Sequence, residues 1–372
     1  MRGRRRLAGG DGTRTMSERI LTLEDREEWG EWIRRLPIPM QDVYYLPEYY
    51  GLFETAIAKA ECFLYWEGDD VLVYPYLKTD ISKATSFEPD EHYYDIEGAY
   101  GYNGFISNSA SGAFLSTFAE VFSSYCLANR IVAEFTRFNP LLSNHLIARH
   151  LDRKTVNQNI IIDLDRTEEE LWAHSYEHAA RKNINKAKRS GLRVEIFRGS
   201  EIGQEWIDIF YRIYIATMDR NTAEASYYWD ATFFANISKC LDCNSIFLFT
   251  LTAEGNPVSV EVILLSKHHA YSYLGGTLSQ YYPERPNNIL KHEAILTLKK
   301  MGVEKFCLGG GTTPGDGIFK YKQTFAKTGA VDFVIGKKIH DRPAYERLCR
   351  QWETMFPEKI EKYSHYLLKY RQ

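Results

Sequence analysis

Hydrophobic residues recur along this chain with two periods, one of about 3.6 residues typical of amphipathic helices and one of two residues typical of half-buried strands. In the first half, these patterns predict a helix, a hairpin, a strand, a helix and a strand. Gly68, Asp69 and Asp70 predict the hairpin turn, and Pro140 predicts the end of the last strand because proline cannot donate to a strand ladder. The predicted elements lie at 25–36, 61–78, 92–107, 114–130 and 131–140.

The second half predicts the same order again, after an opening strand, helix and strand. Thr167 and Glu170 form a capping-box pattern that predicts the start of this helix, and Gly191 predicts its end. Two similar α+β units in tandem are therefore the simplest interpretation, with a boundary near 150–158. The predicted elements are strands at 159–164, 192–197, 269–276 and 305–310, a hairpin at 245–266, and helices at 168–190, 201–220 and 288–302.

The composition is that of a folded protein without a large net charge. Of 372 residues, 44% are hydrophobic and 26% are charged, which excludes disordered and collagen-like chains. Lys and Arg number 46 against 49 Asp and Glu, and the formal charge of −3 excludes a dedicated nucleic-acid binder with a basic excess. Any contact with nucleic acid is therefore expected to be local.

Cysteine usage and the N-terminus bear on the compartment. The six cysteines are scattered, as in reducing compartments, so we expect a cytoplasmic protein or one peripheral to the inner face of the membrane. Residues 1–16 are basic without a following apolar run, which predicts a disordered extension rather than a signal peptide, with Met16 as an alternative start. The uncharged stretch 98–119 is interrupted by Gly, Ser and Asn, so no transmembrane segment is expected.

Several common catalytic motifs are incomplete in this sequence. The glycine-rich segment 308–317 lacks the Lys-Ser/Thr pair of a P-loop, and Pro314 interrupts the glycine pattern of a dinucleotide-binding turn. Cys240 and Cys243 have no second pair at zinc spacing, so two half-buried thiols are the expected state. We therefore expect neither a metal nor a nicotinamide cofactor.

Two segments allow both a ligand-binding and a structural interpretation. In the segment 95–107, regularly spaced glycines alternate with tyrosines, which predicts either a polar pocket wall or a turn packed on an aromatic core. Lys182, Lys186 and Arg189 fall on one helical stripe. This stripe predicts either a local phosphate anchor or cations that complement the helix dipole.

Three features of the second half point to a ligand site. Glu261 stands in an otherwise apolar strand, where burial makes a carboxylate a better proton acceptor unless a neighbouring Lys or Tyr pairs with it. Asn287 and Asn288 precede a helix whose N-terminus predicts a diphosphate site. The many glycines at 308–317 favour close approach of a ligand over packing.

Seven short segments follow one another along the chain: Asp95-x-x-x-x-Tyr100-Gly101-Tyr102-x-Gly104, Glu134-Phe135-x-Arg137-Phe138-x-Pro140, Arg181-x-x-Ile184-x-Lys186-Ala187-x-x-x-Gly191, Tyr273-Leu274-Gly275-Gly276-Thr277, Asn287-Asn288-x-Leu290, Leu308-Gly309-Gly310-Gly311 and Phe319-Lys320-Tyr321-Lys322. In this order, they resemble the FemABX-like branch of the GNAT acyltransferase superfamily, the group also described as the acetyltransferase domain of BioF2-like proteins. The resemblance covers roughly residues 40–345.

The resemblance implies an α+β fold of tandem GNAT-like domains at 17–152 and 153–345, each a mixed central sheet flanked by helices, and a C-terminal helix at 346–372. It implies an acceptor between the halves and a donor on the second half. Family members transfer an amino acid from aminoacyl-tRNA to a peptidoglycan precursor, or an acyl group from coenzyme A to an amine. The sequence has the arginine of the acetyl-CoA signature, Arg285, but neither of the two glycines of that signature. It also lacks the coiled-coil arm of some tRNA-dependent members, so the resemblance does not decide between the two donors.

The resemblance also implies roles for individual residues. Glu261 or Asp95 would accept the amine proton, and Lys322 would neutralise charge on the donor or leaving group. Backbone N–H groups near Gly275 and Gly276 would stabilise the oxyanion. The residues expected to bind substrate are Tyr100, Tyr102, Arg137, Arg181 and Tyr273, and those expected to bind the donor are Gly275, Gly276, Thr277, Asn287, Asn288, Gly310, Gly311 and Lys320.

We therefore expect an N-acyltransferase that forms an amide on an amino group of a cell-envelope, polysaccharide or peptidoglycan precursor. Acyl-CoA is the favoured co-substrate, and no metal is expected. The acceptor would be a small-molecule, lipid-linked or nucleotide-linked amino sugar or peptide. One alternative is an aminoacyl-tRNA-dependent peptidyltransferase of FemX type, with tRNA as a partner, and another is a non-catalytic protein that binds envelope precursors. No oligomeric state is predicted.

Overall fold

Strands and helices alternate along residues 16–372, the part of the chain that the structure, a computed structural model, describes. The strands are β1 (Met16–Thr22), β2 (Ala58–Glu67), β3 (Asp70–Asp80), β4 (Tyr94–Glu97), β5 (Ile106–Ser107), β6 (Ile131–Arg137), β7 (Asp152–Asp163), β8 (Arg193–Arg198), β9 (Ser245–Leu251), β10 (Pro257–Leu265), β11 (His269–Thr277), β12 (Lys305–Gly309) and β13 (Ala330–Ile339). The helices are α1 (Arg26–Arg34), α2 (Pro47–Gly51), α3 (Ile81–Ala84), α4 (Gly112–Ala128), α5 (Glu168–Glu170), α6 (His178–Arg189), α7 (Gln204–Arg220), α8 (Ala231–Cys240), α9 (Pro286–Lys300), α10 (Gly317–Gln323), α11 (Arg342–Met355) and α12 (Ile360–Tyr363).

The described chain divides into two compact units. Unit 1 comprises the residues up to Val156 together with Val334–Gln372, and unit 2 comprises Asn157–Phe333. The segment 334–345, which was expected in the second domain, belongs to unit 1 because β13 pairs with β6 there, from Ile335↔Arg137 to Ile339↔Ala133. The chain therefore returns to its first unit after completing the second.

Met16 and the C-terminal segment differ from the expectation. Residues 1–15 of the expected extension lie outside the described residues, whereas Met16 begins β1 and pairs with Glu67 of β2. The expected helix at 346–372 is α11, which begins earlier because Asp341 caps it by accepting a hydrogen bond from the Ala344 N–H at 2.9 Å. It ends at Met355 and is followed by shorter helical turns.

Unit 1 is built on a mixed sheet with the strand order β1-β2-β3-β4-β6-β13, and β5 pairs with β3. Its pairs are antiparallel except β4 and β6, which run parallel. Helix α4 contributes Phe114, Phe118 and Phe122 to the core. These residues recur every four positions, so they share one helix face and pack together against the sheet.

Unit 2 repeats this plan with the strand order β7-β12-β11-β10-β9-β8. Its pairs are also antiparallel except one, the parallel pair β11 and β12. Side chains of β9 alternate between two helical layers, as strand geometry requires. Ile246 and Leu248 join the core formed with α9, while Phe247 and Phe249 contact Phe210 and Trp206 of α7 at ring-centroid distances of 5.5 and 4.7 Å.

The helix expected at 168–190 is interrupted. The capping box at Thr167 is present, but α5 continues into a single π-helical turn at Leu171–Ser175, and Tyr176 is extended before α6 begins. The guanidinium of Arg181 donates hydrogen bonds to the carbonyls of Trp172 and Tyr176 at 3.0 and 2.6 Å. These contacts satisfy backbone groups that the interruption leaves without helical partners.

Candidate active site

The parallel strands of unit 2 separate after only three paired positions. His269, Ala270 and Tyr271 of β11 pair with Lys305, Phe306 and Cys307 of β12. Beyond Tyr271, β11 continues to Thr277 paired with β10. The separation, called the unit 2 fork below, leaves one edge of β11 without a neighbouring strand. Two side chains of α7 bond the backbone of Thr277, since its N–H donates to Thr217 Oγ1 at 2.9 Å and its carbonyl accepts from Arg220 at 2.8 Å. The backbone groups that this edge offers to a ligand therefore lie before Thr277.

A β-bulge marks the beginning of the unit 2 fork. Val262 pairs with Leu274, and the next residue, Ile263, pairs with Ser272. Tyr273 is therefore an extra residue on β11, which bends the strand and changes the direction of the side chains that follow. Tyr273 was expected to bind substrate, and the structure places it, half-buried, at this bend.

Three polar side chains meet at the base of the unit 2 fork. Lys291 of α9 forms an ion pair with Glu261 of β10, and both side chains are buried. The Ser272 hydroxyl donates to the same Glu261 oxygen, Oε1, and the Lys291 Nζ lies 3.1 Å from the Ser272 Oγ. Pairing with a lysine was one of the two alternatives for Glu261, and it satisfies a charge that burial would otherwise make costly.

Lys291 was not selected from the sequence. It occupies the same stripe of α9 as Asn287, Ala294 and Leu298, a face that packs into the core. A lysine on a stripe otherwise directed inward signals a buried charge, and this pattern was available in the sequence. The sequence did not reveal that Glu261 is the partner of Lys291, because this pairing depends on how α9 packs against β10.

Lys322 lies on α10, directly after the glycine loop. Its Nζ donates a hydrogen bond to the Gly310 carbonyl at 2.7 Å. Burial, together with the nearby Lys291 cation, lowers the pKa of Lys322 to about 8. The expected donor-binding residue Lys320, two positions earlier, is instead exposed to solvent.

The start of α9 is linked to the unit 2 fork by hydrogen bonds. The Asn287 Oδ1 accepts hydrogen bonds from Ser259 Oγ at 2.6 Å and from Thr277 Oγ1, and the Asn287 carbonyl accepts one from the Tyr321 hydroxyl at 2.9 Å. Burial raises the pKa of Tyr321 well above its ordinary value, so this phenol stays protonated. The side chain of Asn287 is thus engaged within the protein, while Asn288 is buried.

The N-terminus of α9 has no side-chain cap. Arg285 precedes it in the left-handed region, with φ of 67°. Pro286 at the first helical position has no N–H group, but the donors that follow it are the kind that bind phosphate at helix N-termini. This end of the helix therefore retains part of the geometry expected for a diphosphate.

Intramolecular packing accounts for several glycines that we expected to admit a ligand. A Cβ on Gly276 would lie 2.6 Å from Thr217 Oγ1, and one on Gly275 would lie 2.6 Å from the Val260 carbonyl. A Cβ on Gly310 would lie 2.5 Å from the Gln158 carbonyl, and one on Gly311 would overlap the Asp316 carboxylate. These positions require glycine whether or not a ligand approaches them.

The parallel pair of unit 1 also separates, but the chain itself occupies the opening. Beyond Glu97 of β4, the loop 98–104 lies beside β6, and the Arg137 guanidinium donates to the carbonyls of Gly98 and Gly101, both at 3.2 Å. Gly101 has φ of 96°, and its Cβ would lie 2.5 Å from the Tyr44 ring. The loop is therefore packed on an aromatic core, the structural alternative predicted for it, and the Tyr100 and Tyr102 side chains stay partly exposed.

Two further predicted site residues have internal partners. Asp95 is fully buried in unit 1, where Arg371 forms an ion pair with it and the Tyr370 hydroxyl donates to its Oδ2 at 2.9 Å. Arg181, in unit 2, donates its hydrogen bonds to the backbone carbonyls before α6. These partners explain both residues without a substrate.

Residues 16–372 contain no group of three or more His, Cys, Asp and Glu side chains arranged to bind a metal ion. In the same range, no helix has both the length and the apolar character required to cross a bilayer.

Comparison with known proteins identifies the fold. Residues 174–323 match the family described as Acetyltransferase (GNAT) domain. This range contains β8 to β12 and therefore the whole unit 2 fork. Among curated proteins, none matches the sequence significantly.

Solved structures with the same fold cover most of the chain. FemX matches with a TM-score of 0.66 at 13% identity, covering 89% of this chain and 99% of that one. The C-terminal domain of a putative lysylphosphatidylglycerol synthetase from Agrobacterium fabrum matches with a TM-score of 0.51 at 12% identity, covering 90% and 96%. A tandem GNAT protein from the clavulanic acid biosynthesis pathway matches with a TM-score of 0.50 at 8% identity, covering 87% and 98%. The predicted fold class, with its mixed sheets and flanking helices, and the resemblance to GNAT proteins are confirmed.

Proposed function

We propose that this GNAT-superfamily transferase forms an amide, moving an acyl group from acyl-CoA to an amino group of a cell-envelope, polysaccharide or peptidoglycan precursor. The observation that carries the proposal is the unit 2 fork, where an unpaired strand edge lies beside Ser272, Lys291 and Lys322. The match to the acetyltransferase family covers the same segment. Acyl transfer requires donors for a developing oxyanion and a cation near the leaving group, and the fork offers both.

In the proposed reaction, the nitrogen lone pair of a neutral amine forms a bond to the acyl carbonyl carbon. The free edge of β11 near Gly275 and Gly276 donates a backbone N–H group to the oxyanion of the tetrahedral intermediate, since the N–H groups of adjacent strand residues point to opposite edges. The carbon–sulfur bond then breaks, and protonated Lys322 stabilises the thiolate that leaves. Holding the two substrates together supplies about 7–11 kcal/mol of the barrier reduction in well-oriented systems.

Glu261 is the proposed acceptor of the amine proton, and Lys291 is a positioning residue that holds its carboxylate. Asp95 is the weaker candidate, because Arg371 and Tyr370 already occupy its carboxylate oxygens. Tyr273, at the bulge, is proposed to contact the acceptor. Asn288, Thr277 and the start of α9 are proposed to act on the donor side.

Aminoacyl-tRNA is the second candidate donor, and one feature of α6 favours it. Lys182, Lys186 and Arg189 are exposed on this helix, and no ion pair of theirs occurs within the described part of the chain. Such a stripe suits a phosphate backbone. An acceptor of the envelope class would place the reaction in the cytoplasm or at the inner face of the membrane.

The test is product formation by the purified full-length chain. Acetyl-, succinyl- and long-chain acyl-CoA, and separately charged tRNA, are incubated with a panel of amino sugars and peptidoglycan peptides, and products are identified by mass spectrometry. Acceptor-dependent release of free coenzyme A with a matching amide product supports the proposal. Amide formation from charged tRNA alone would select the second donor. Ligand-induced thermal stabilisation without any product from either donor would contradict transfer and leave a binding protein.

A further inference from the structure

Unit 1 contains a cavity that has no part in the proposed transfer. Its volume is about 450 Å³, within the range of roughly 300–1,000 Å³ typical of small-molecule sites. It lies between the end of α1 and the β2–β3 hairpin. The residues that line it are Trp32, Arg35, Trp66, Gly68, Asp69, Val71 and Asn108.

Two indole rings form the apolar side of this cavity. The ring centroids of Trp32 and Trp66 lie 4.8 Å apart, and the ring planes are inclined by 37°. The Arg35 guanidinium covers one face of Trp32 at 4.3 Å from the ring centroid. Trp32 is 9% exposed, whereas Trp66 is only partly buried, so Trp66 presents the accessible aromatic surface.

Polar groups of opposite charge stand at the rim. Among the contacts of the described residues, the Arg35 guanidinium has only the Trp32 ring, and the Asp69 carboxylate has no hydrogen bond or ion pair. Asn108 fixes the turn that carries Asp69. Its Oδ1 accepts a hydrogen bond from the Val71 N–H at 2.7 Å, and its Nδ2 donates to the Asp69 carbonyl at 2.9 Å.

We propose that this cavity binds a saccharide ring. The C–H face of a pyranose packs on an aromatic ring, and its hydroxyl groups both donate and accept hydrogen bonds. Arg35 offers donors only and Asp69 acceptors only, so together they match vicinal hydroxyls. One cation and one anion at the rim give no net preference for an anionic or a cationic ligand, which favours a neutral polyhydroxylated one.

Ligand-observed saturation-transfer NMR on the full-length chain tests the proposal without any transfer chemistry. The probes are N-acetylglucosamine, N,N′-diacetylchitobiose, glucose and galactose at about 10 mM, a concentration suited to weak sites. Saturation is expected on the ring C–H protons of at least one sugar. Trp66→Ala should weaken its binding about tenfold, which corresponds to one stacking contact, while Trp66→Tyr should retain most of it.

Arg35→Gln and Asp69→Asn should each weaken binding severalfold, since each removes a charged hydrogen-bonding partner. Tyr366→Ala is the matched control, because Tyr366 is an exposed aromatic residue of unit 1 outside the cavity. Thermal unfolding of every variant separates loss of the site from loss of the fold. Absence of saturation with all four sugars would overturn the proposal, as would binding that Trp66→Ala and Arg35→Gln leave unchanged. Uridine monophosphate is tested in the same way as a probe for base stacking. Binding of this nucleotide without binding of any sugar would also overturn the proposal, since the cavity would then stack a base.

Discussion

Lys291 of α9 and Glu261 of β10 form an ion pair inside unit 2, with side chains only 6% and 8% exposed. The Lys291 Nζ also lies 5.2 Å from the centroid of the Phe306 ring, which belongs to the last paired stretch of β12. The ion pair therefore lies where the two parallel strands begin to separate. A charge pair at this position joins α9, β10 and β11 at the point where the proposed chemistry takes place.

Replacing one partner of this ion pair should destabilise the folded protein more than the mutual loss of both charges would suggest. Glu261→Gln or Lys291→Met leaves one buried charge without its partner, and each should lower the free energy of unfolding by about 3–5 kcal/mol. The double variant leaves no charge and should lose less than the sum of the two. Urea unfolding of the four proteins measures this coupling. Additive losses would show that the two residues do not stabilise each other.

Lys322→Ala should reduce turnover while the protein stays folded. A fixed donor to an oxyanion or leaving group contributes about 2.7–4 kcal/mol, so kcat should fall by roughly 10²–10³-fold. Lys320→Ala is the matched control, because Lys320 is exposed on the same helix. Circular dichroism and melting temperature verify the fold. Wild-type turnover in Lys322→Ala would remove Lys322 from the mechanism.

The pH dependence of turnover should reveal the charge of Lys322. Burial, reinforced by Lys291, lowers its pKa to about 8, so the cation is lost as the pH rises through this value. Lys322→Arg keeps its charge throughout this range. The ratio of wild-type kcat to Lys322→Arg kcat should therefore decline from pH 7 to pH 9.5, and the ratio also cancels the deprotonation of the acceptor amine. A constant ratio would mean that the charge of Lys322 does not matter.

Gly276→Ala should destabilise unit 2. The added methyl group would lie 2.6 Å from Thr217 Oγ1 and 2.8 Å from the Ile213 carbonyl, which forces β11 and α7 apart. Overpacking of this kind costs about 1–3 kcal/mol. Gly317→Ala is the control, since nothing lies within 4 Å of a Cβ there. Chemical denaturation of both variants makes the comparison, and equal stability would argue against close packing at Gly276.

Acid should weaken unit 2 through His292. Burial, followed by the nearby Lys188 cation, lowers the pKa of His292 to about 4, below the ordinary value of about 6.5. The unfolded chain then binds more protons than the folded one between these values, so stability falls as the pH falls through 6.5. The loss is about 2 kcal/mol at pH 5.

His292→Gln should remove this part of the pH dependence, because its amide can still bond the Tyr176 hydroxyl, which lies 3.2 Å from the His292 Nδ1. His178→Gln, at an exposed position, should leave it unchanged. Urea unfolding at pH 7 and pH 5 provides the measurement. An identical decrease in wild type and His292→Gln would assign the acid sensitivity to other groups, among them His150 of unit 1, whose pKa burial also lowers to about 4.

The sequence was most informative where the cause of a structure is local. The turn at Gly68 joins β2 and β3 because its φ of 60° suits glycine, and the capping box at Thr167 begins α5 as predicted. The repeated order of elements predicted two units of one plan, since each strand and helix carries its own hydrophobic period. The interruption at Tyr176 was missed, because the carbonyls that it frees are bonded by Arg181, several residues further along the chain.

The site was predicted less completely than the fold. Four residues that the sequence predicts to bind substrate or donor, or to act in catalysis, lie at the unit 2 fork or the start of α9. They are Glu261, Tyr273, Asn287 and Lys322. Lys291 was missed, and the glycines at 275, 276, 310 and 311 have packing reasons that no sequence pattern distinguishes from ligand approach. The Lys291–Glu261 ion pair and the packing around these glycines are both contacts between residues far apart in sequence.

The sequence by itself determined most of the helices and strands, the repeated plan and the class of fold, because hydrophobic periodicity, caps and turns act over a few neighbouring residues. Only the tertiary structure decided that Glu261 pairs with Lys291, that Arg137 and the loop 98–104 occupy the opening in unit 1, and that β13 returns to β6. Such contacts arise when distant segments are packed together. The free energy of burying a charge or closing an opening depends on that packing, and the local sequence does not contain it.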